Sequence, residues 1–221
     1  MASRGLRVLA CAASNVATDN LVERLAKADA RLPLLRLGHP ARLLPSVLGA
    51  SLDAQVLQSD NSGLAQDIRK EIRDGQSRLL RLGRWDRDER RALRTELRRL
   101  AAEERQRQGR AVAEVISRSR VVLCTLSGAL SHHLRGSAFD AVVIDEAAQA
   151  LETACWGALL KAPKAILAGD HLQLPPTVTS PEAERGGLGR TLFARLHAAH
   201  GEEVARMLTV QYRMHAEIMA W

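Results

Sequence analysis

Lysine is scarce in this sequence. Lys27, Lys70, Lys161 and Lys164 are the only four among 32 basic residues, and none follows a glycine. The 221 residues therefore contain no G-x-x-x-x-G-K-[ST] phosphate loop. Cysteine is also sparse: Cys11, Cys124 and Cys155 stand far apart, with no C-x-x-C pair, and His132–His133 is isolated. That argues against a zinc site and for reduced thiols, as expected in the cytoplasm or nucleus. No apolar run approaches the roughly 20 residues that span a bilayer, so no membrane partner is expected. The basic start Met1–Arg7 followed by VLACAAS resembles a signal peptide only superficially. Its apolar stretch is short and runs straight into Ser14–Asn15, which reads as a buried strand.

Hydrophobic residues make up 46% of the chain, enough for a core of one or two domains, and charged residues 26%. The net charge of +7 is unevenly placed. Residues 69–110 hold 15 basic and 8 acidic residues, and the rest of the chain is balanced. Such a segment suits a nucleic-acid footprint. It equally suits a solvated helix surface laced by Asp74–Arg78, Asp86–Arg90 and Glu103–Arg107 at i,i+4 spacing. Trp85 is its one aromatic residue for base stacking.

Along the chain, strands are expected at Arg7–Ala12, Leu34–Leu37, Val121–Cys124, Phe139–Ile144, Ala165–Ala168 and Met207–Val210. Ser14–Asn15 should cap a helix with Val16, Leu21, Val22 and Leu25 on its apolar face and Asp19 and Glu23 opposite. Further helices are expected over 147–160 and 188–199, and one begins near His215 and ends the chain at Trp221. From about Ser62 to Ser117 the pattern is helical and polar, with breaks near Gly75 and Gly83 and a stripe of Leu93, Leu97 and Leu100. Strands alternating with helices predict an α/β fold, a mostly parallel sheet with helices on both faces. Ligands of such sheets bind at the carboxyl ends of the strands.

The polar clusters fall at those ends. In Ala141-Val142-Val143-Ile144-Asp145-Glu146 an apolar strand runs into two acids. One carboxylate can hold a magnesium ion that keeps most of its waters, and the next can polarise an attacking water. The plain alternative is a strand followed by an acidic turn. The next cluster is Gly169-Asp170-His171-Leu172-Gln173-Leu174-Pro175-Pro176, a loop stiffened by glycine and two prolines. Gln173 carries both a donor and an acceptor suited to a γ-phosphate or its water. The third is Gln211-Tyr212-Arg213-Met214. Tyr212 offers a face to a purine, and Arg213 a permanently charged fork to phosphate oxygens.

Five stretches carry a specific resemblance: ACAASNVATDNLVERL (10–25), VVLCT (121–125), VVIDEAAQALE (142–152), AILAGDHLQLPPT (165–177) and LTVQYRMH (208–215). In this order they resemble superfamily 1 helicases of the up-frameshift-like group, in particular the immunoglobulin mu-binding (Smubp) type, over nearly the whole chain. The resemblance implies an ATP- and magnesium-dependent motor on single-stranded DNA or RNA. It implies that Asp145 holds magnesium, Glu146 activates water, and Gln173 couples the γ-phosphate to the nucleic acid. Arg213 would contact the γ-phosphate and Tyr212 the adenine, with Gln211, Gly169 and Asp170 beside them. Ser14, Asn15 and Thr125 would line the track for the strand, touching phosphates without reading sequence. One departure is Ala13, where the family usually has proline, which loosens the turn before Ser14.

The same resemblance implies an incomplete RecA-like P-loop NTPase motor domain. Residues 1–49 and 118–221 would form parts of the first motor domain, with an inserted helical subdomain at 50–117. The phosphate loop and a barrel-like accessory domain are expected upstream of Met1, and the second motor domain after Trp221. Losing one positioned charge costs phosphoryl transfer about 10³–10⁵ in rate. The isolated chain is therefore expected to be a helicase fragment inactive on ATP. The alternative is a non-catalytic truncated isoform that binds nucleic acid or helicase partners.

Overall fold

The computed structural model describes residues 1–83 and 86–220, and only the backbone of residues 60–62. Trp85 and Trp221, both singled out above, lie outside the described residues.

Five short apolar segments form one parallel sheet: β1 (Val8–Ala12), β2 (Leu34–Arg36), β3 (Val121–Thr125), β4 (Ala141–Asp145) and β5 (Ala165–Leu167). Their order across the sheet is β2-β3-β1-β4-β5. Side chains alternate between faces along each strand. Leu9, Cys11, Val122, Cys124, Val142 and Ile144 point to one face, where Val115, Ile116, Cys155 and Ala158 cover them. Val8, Ala10, Val121 and Leu123 point to the other, under Val22 and Val47. Both faces are thus buried, which explains why β1 reads as an unbroken apolar run. β5 is an edge strand whose Ala165 and Ile166 are exposed.

The helices are α1 (Asn15–Ala28), α2 (Leu52–Leu57), α3 (Asp60–Arg81), α4 (Arg87–Arg118), α5 (Glu152–Leu159), α6 (Pro181–Arg185), α7 (Leu192–His200) and α8 (Ala216–Met219). Ser14 caps α1 as expected, its Oγ accepting from Ala17 N at 3.1 Å. The helical stretch between β2 and β3 is an α3/α4 hairpin, and Leu93 and Leu100 are buried in it. The end of α4, at Val115 and Ile116, belongs to the core of the sheet.

Several expectations need correction. α3 runs through Gly75 without a break. A Cβ there would sit 2.8 Å from Leu97 Cδ2, so the glycine admits the close approach of α4. The break near Gly83 is real, since α3 ends at Arg81 and α4 begins at Arg87. The helix expected over 147–160 is a single 3₁₀ turn, Ala147–Gln149, an extended residue at Ala150, and α5. Asp19 does not face solvent with Glu23 but is 1% exposed. Met207–Val210 forms no strand: Met207 is 88% and Leu208 93% exposed. A strand exists only where a neighbouring edge accepts its hydrogen bonds, and this segment has no ladder partner among the described residues. Of the three i,i+4 ion pairs expected in the hairpin, Glu103–Arg107 forms at 2.8 Å. Arg78 pairs across the hairpin with Glu89 instead of Asp74. Asp86 accepts from Gly83 N, and Arg90 donates to the Leu82 carbonyl.

Candidate functional site

Three strands end level at one edge of the sheet. The ladder sets Ala12 beside Thr125 on one side and beside Asp145 on the other. The chain leaving β1 presents Ser14 and Asn15 at that edge, and the chain leaving β4 presents Glu146.

Asp145 is half-buried, and its Oδ1 accepts from Glu146 N at 3.1 Å. Glu146 is exposed and adopts φ 54°, ψ 38°, the one non-glycine residue with positive φ among the described residues. Side chains rarely take this left-handed conformation, which costs about 1–2 kcal/mol. The surrounding structure enforces it. Immediately after Glu146 the chain turns so that Ala147 N can donate to the Ala168 carbonyl at 2.8 Å. Gln149 Nε2 lies 3.4 Å from Glu146 Oε2.

The loop after β5 packs on this turn. A Cβ on Gly169 would lie 2.9 Å from Ala148 N and 3.2 Å from Ala147 N. No side chain fits there, so glycine is required by close approach of two backbones. Asp170 then organises the loop: Oδ1 accepts from Leu172 N at 2.9 Å and Oδ2 from Gln173 Nε2 at 3.1 Å. These two bonds, the backbone one foremost, hold the Asp170 carboxyl below its ordinary range. Gln173 is exposed and keeps its carbonyl oxygen free of Asp170.

On the other side, Thr125 Oγ1 accepts from Gly128 N at 3.1 Å. Asn15 is held from beneath. Arg36, with no solvent exposure, donates from Nε to Asp19 Oδ1 at 2.7 Å and from Nη2 to Asn15 Oδ1 at 3.0 Å. Nη1 donates to the Leu37 carbonyl, and Asp19 Oδ2 accepts from Leu44 N at 2.9 Å. Both ions are thereby satisfied by hydrogen bonds as well as by each other, as buried charges require. The side-chain carbonyl of Asn15 is thus occupied by Arg36. Sequence reading missed Arg36 and Asp19. The available signal was an arginine inside the apolar run Leu34-Leu35-Arg36-Leu37.

The structure thus brings Ser14, Asn15, Thr125, Asp145, Glu146, Gly169, Asp170 and Gln173 to one side of the sheet. It does not bring Gln211, Tyr212 and Arg213 there, because the strand expected to carry them is absent. Gln211 Oε1 accepts from Arg213 N at 2.9 Å and Met214 N at 2.7 Å, so it braces a local turn. Tyr212 is 93% exposed.

Among the described residues no cluster of three or more His, Cys, Asp or Glu forms a metal cage. Asp145, with one carboxylate oxygen engaged locally, fits an ion that takes a single carboxylate and fills its other positions with water and substrate oxygens, as magnesium does.

A five-stranded parallel sheet covered on both faces, with polar side chains gathered at its strand ends, is the architecture of a RecA-like motor domain. The sequence pattern of the AAA domain family matches residues 1–181. DNA-binding protein SMUBP-2 of Mus musculus is 50% identical over 99% of this chain and 22% of its own length. DNA polymerase alpha-associated DNA helicase A of Schizosaccharomyces pombe is 44% identical over 96% of this chain and 31% of its own. An uncharacterized ATP-dependent helicase of Methanocaldococcus jannaschii is 33% identical over 96% and 36%. The chain belongs to the AAA domain family, in its branch of Smubp-type superfamily 1 helicases. It spans between 22% and 36% of the lengths of these curated relatives.

Proposed function

We propose that this chain is part of the first motor domain of an ATP-dependent DNA/RNA helicase, in which ATP hydrolysis drives movement along a single strand. The observation that carries the reading is the shared register of Ala12, Thr125 and Asp145. It puts the residues assigned to the nucleotide and those assigned to the strand on one edge, where hydrolysis and grip can be coupled. Asp145 would hold the magnesium of ATP, which neutralises phosphate charge. Glu146 would take the proton of the attacking water, and Gln173 would report the γ-phosphate to the track at Ser14, Asn15 and Thr125. Tyr212 and Arg213, both exposed, remain free to meet adenine and phosphate.

Exposed apolar residues support the view that more of the motor packs here. Leu172 and Leu174 beside β5, and Leu208 and Val210, are between 66% and 93% exposed. We further propose that the chain alone hydrolyses no ATP, since the sequence holds no lysine phosphate loop. The three thiols are free and buried, which accords with a cytoplasmic or nuclear protein. No helix among the described residues is long and apolar enough to cross a membrane.

In a motor completed with a phosphate loop and second motor domain, Glu146→Gln should abolish turnover and preserve ATP binding. Retained turnover would remove Glu146 from the role of base. Steady hydrolysis by the 221-residue chain above a protein-free control would refute its inactivity.

A further inference from the structure

α4 carries Arg87, Arg91, Arg94, Arg98 and Arg105. At 100° per residue they project within a sector of about 60°, along about 27 Å of helix. All five are exposed. None has an ion-pair or hydrogen-bond partner for its side chain among the described residues, whereas several arginines off the stripe do. Arg69 pairs with Glu104 at 2.5 Å, Arg78 with Glu89 at 2.5 Å and Arg107 with Glu103 at 2.8 Å. The acids of α4 all fall outside the sector, so nothing on the helix neutralises the stripe. Leu93 and Leu100 lie on the other side of the helix and are buried, so the stripe faces away from the hairpin's own packing. At its lower end the stripe enters a groove lined by Arg105, Gln108 and Gly109 with Asp53, His132 and His133. The two histidines belong to the segment that leaves β3 at Thr125.

We propose that this stripe is a second contact for the backbone of single-stranded nucleic acid, separate from the strand-end track at Ser14, Asn15 and Thr125. The inference rests on the helicase reading and names a surface which that reading does not use. The chemistry favours phosphates. Guanidinium forks match phosphate oxygens in geometry and stay charged at every relevant pH. A row of unpaired cations in line suits a polyanion extended along the helix, and its affinity comes from counterion release. The sector between Arg87 and Arg105 holds no large apolar residue, so it lacks what a helix needs to enter a lipid surface. The alternative of a self-neutralised solvated surface requires acids on the same face, and they are elsewhere.

The test is the salt dependence of binding, by fluorescence anisotropy, of the full 221-residue chain to labelled oligothymidine. R91Q/R94Q/R98Q should weaken binding about tenfold or more at low salt. It should also make the slope of log K against log salt shallower by about 2. R73Q/R99Q/R110Q removes the same charge off the stripe and should change the slope far less. N15A/T125A removes uncharged track contacts, so it should lower affinity at an unchanged slope. If N15A/T125A weakens binding while the stripe variant behaves as wild type, the stripe is overturned and the helicase reading stands. Equal slopes for the stripe variant and its off-stripe control would likewise overturn it. If the wild-type chain binds no oligonucleotide at low salt, both fail together. Stripe-dependent binding to phosphatidylserine vesicles, with none to oligothymidine, would overturn the proposal in favour of a membrane surface.

Discussion

Arg36 Nη2 donates to Asn15 Oδ1 at 3.0 Å from a side chain with no solvent exposure. A buried ion pair thereby sets the orientation of a surface amide. Asp19 holds Arg36, and Arg36 holds the side-chain carbonyl of Asn15, which follows the end of β1. Asp19→Ala should lower stability by about 3–5 kcal/mol, because it strands the guanidinium in the core. Urea unfolding checks this, and a loss under about 1 kcal/mol would contradict the burial of the pair. Asn15→Ala removes the acceptor of a buried Arg36 N–H, so it should cost about 1–3 kcal/mol in the same unfolding and also lower nucleic-acid affinity.

Glu146 is strained by its positive φ, and that strain is removable. Glu146→Gly should raise stability by about 1 kcal/mol, since glycine adopts this conformation without a Cβ penalty. Glu146→Gln, which keeps the strain, should leave stability near wild type. Thermal unfolding of the three proteins compares them directly. A Glu146→Gly protein less stable than wild type would mean that contacts of the Glu146 side chain outweigh the strain. The prediction also states a trade: the residue proposed to activate water sits where stability alone would favour glycine.

Much of this site was legible in sequence because its signals are local. An apolar strand running into two acids needs no partner to be read, and Ser14 before an amphipathic helix is a cap on its own evidence. What failed depended on something across space. Asp19 reads as the polar face of α1 because its charge is visible and Arg36, seventeen residues away, is not. Gly75 reads as a helix breaker, yet it sits inside α3 where Leu97 of the facing helix packs against it. Met207–Val210 has strand composition, but a strand is a relationship with a neighbouring edge and cannot be read from one segment. Arg78 had Asp74 within reach one turn away and pairs with Glu89 of α4, because the hairpin brings a second acid to it.

Gly169 packs the loop after β5 against the turn that follows Glu146. Gly169→Ala puts a methyl 2.9 Å from Ala148 N, and backbone cannot yield as a flexible side chain would. The expected cost is about 1–3 kcal/mol from overpacking, with displacement of the Glu146–Ala148 turn. In a completed motor, turnover should fall more than ATP affinity, because the proposed base moves while the other contacts remain. A stability change below about 0.5 kcal/mol would show that the two loops separate easily in solution.

Two titrations give separate windows of acid sensitivity. Arg195 grips Glu152 with Nε on Oε2 at 2.9 Å and Nη2 on Oε1 at 2.6 Å. This fork is the main cause holding the Glu152 carboxyl below its ordinary value of 4.5. The unfolded chain therefore takes up that proton first as pH falls. The stabilisation is complete above the ordinary carboxylate range and is lost on descending through it. His133 is shifted the same way from 6.5, by burial first and then by His132. Its unfolded form also binds the proton first, so stability begins to fall just below pH 6.5. Unfolding midpoints measured across pH should show both declines. His133→Gln should flatten the upper one and Glu152→Gln the lower one. If both variants keep the wild-type profile, neither group is in its described environment in solution.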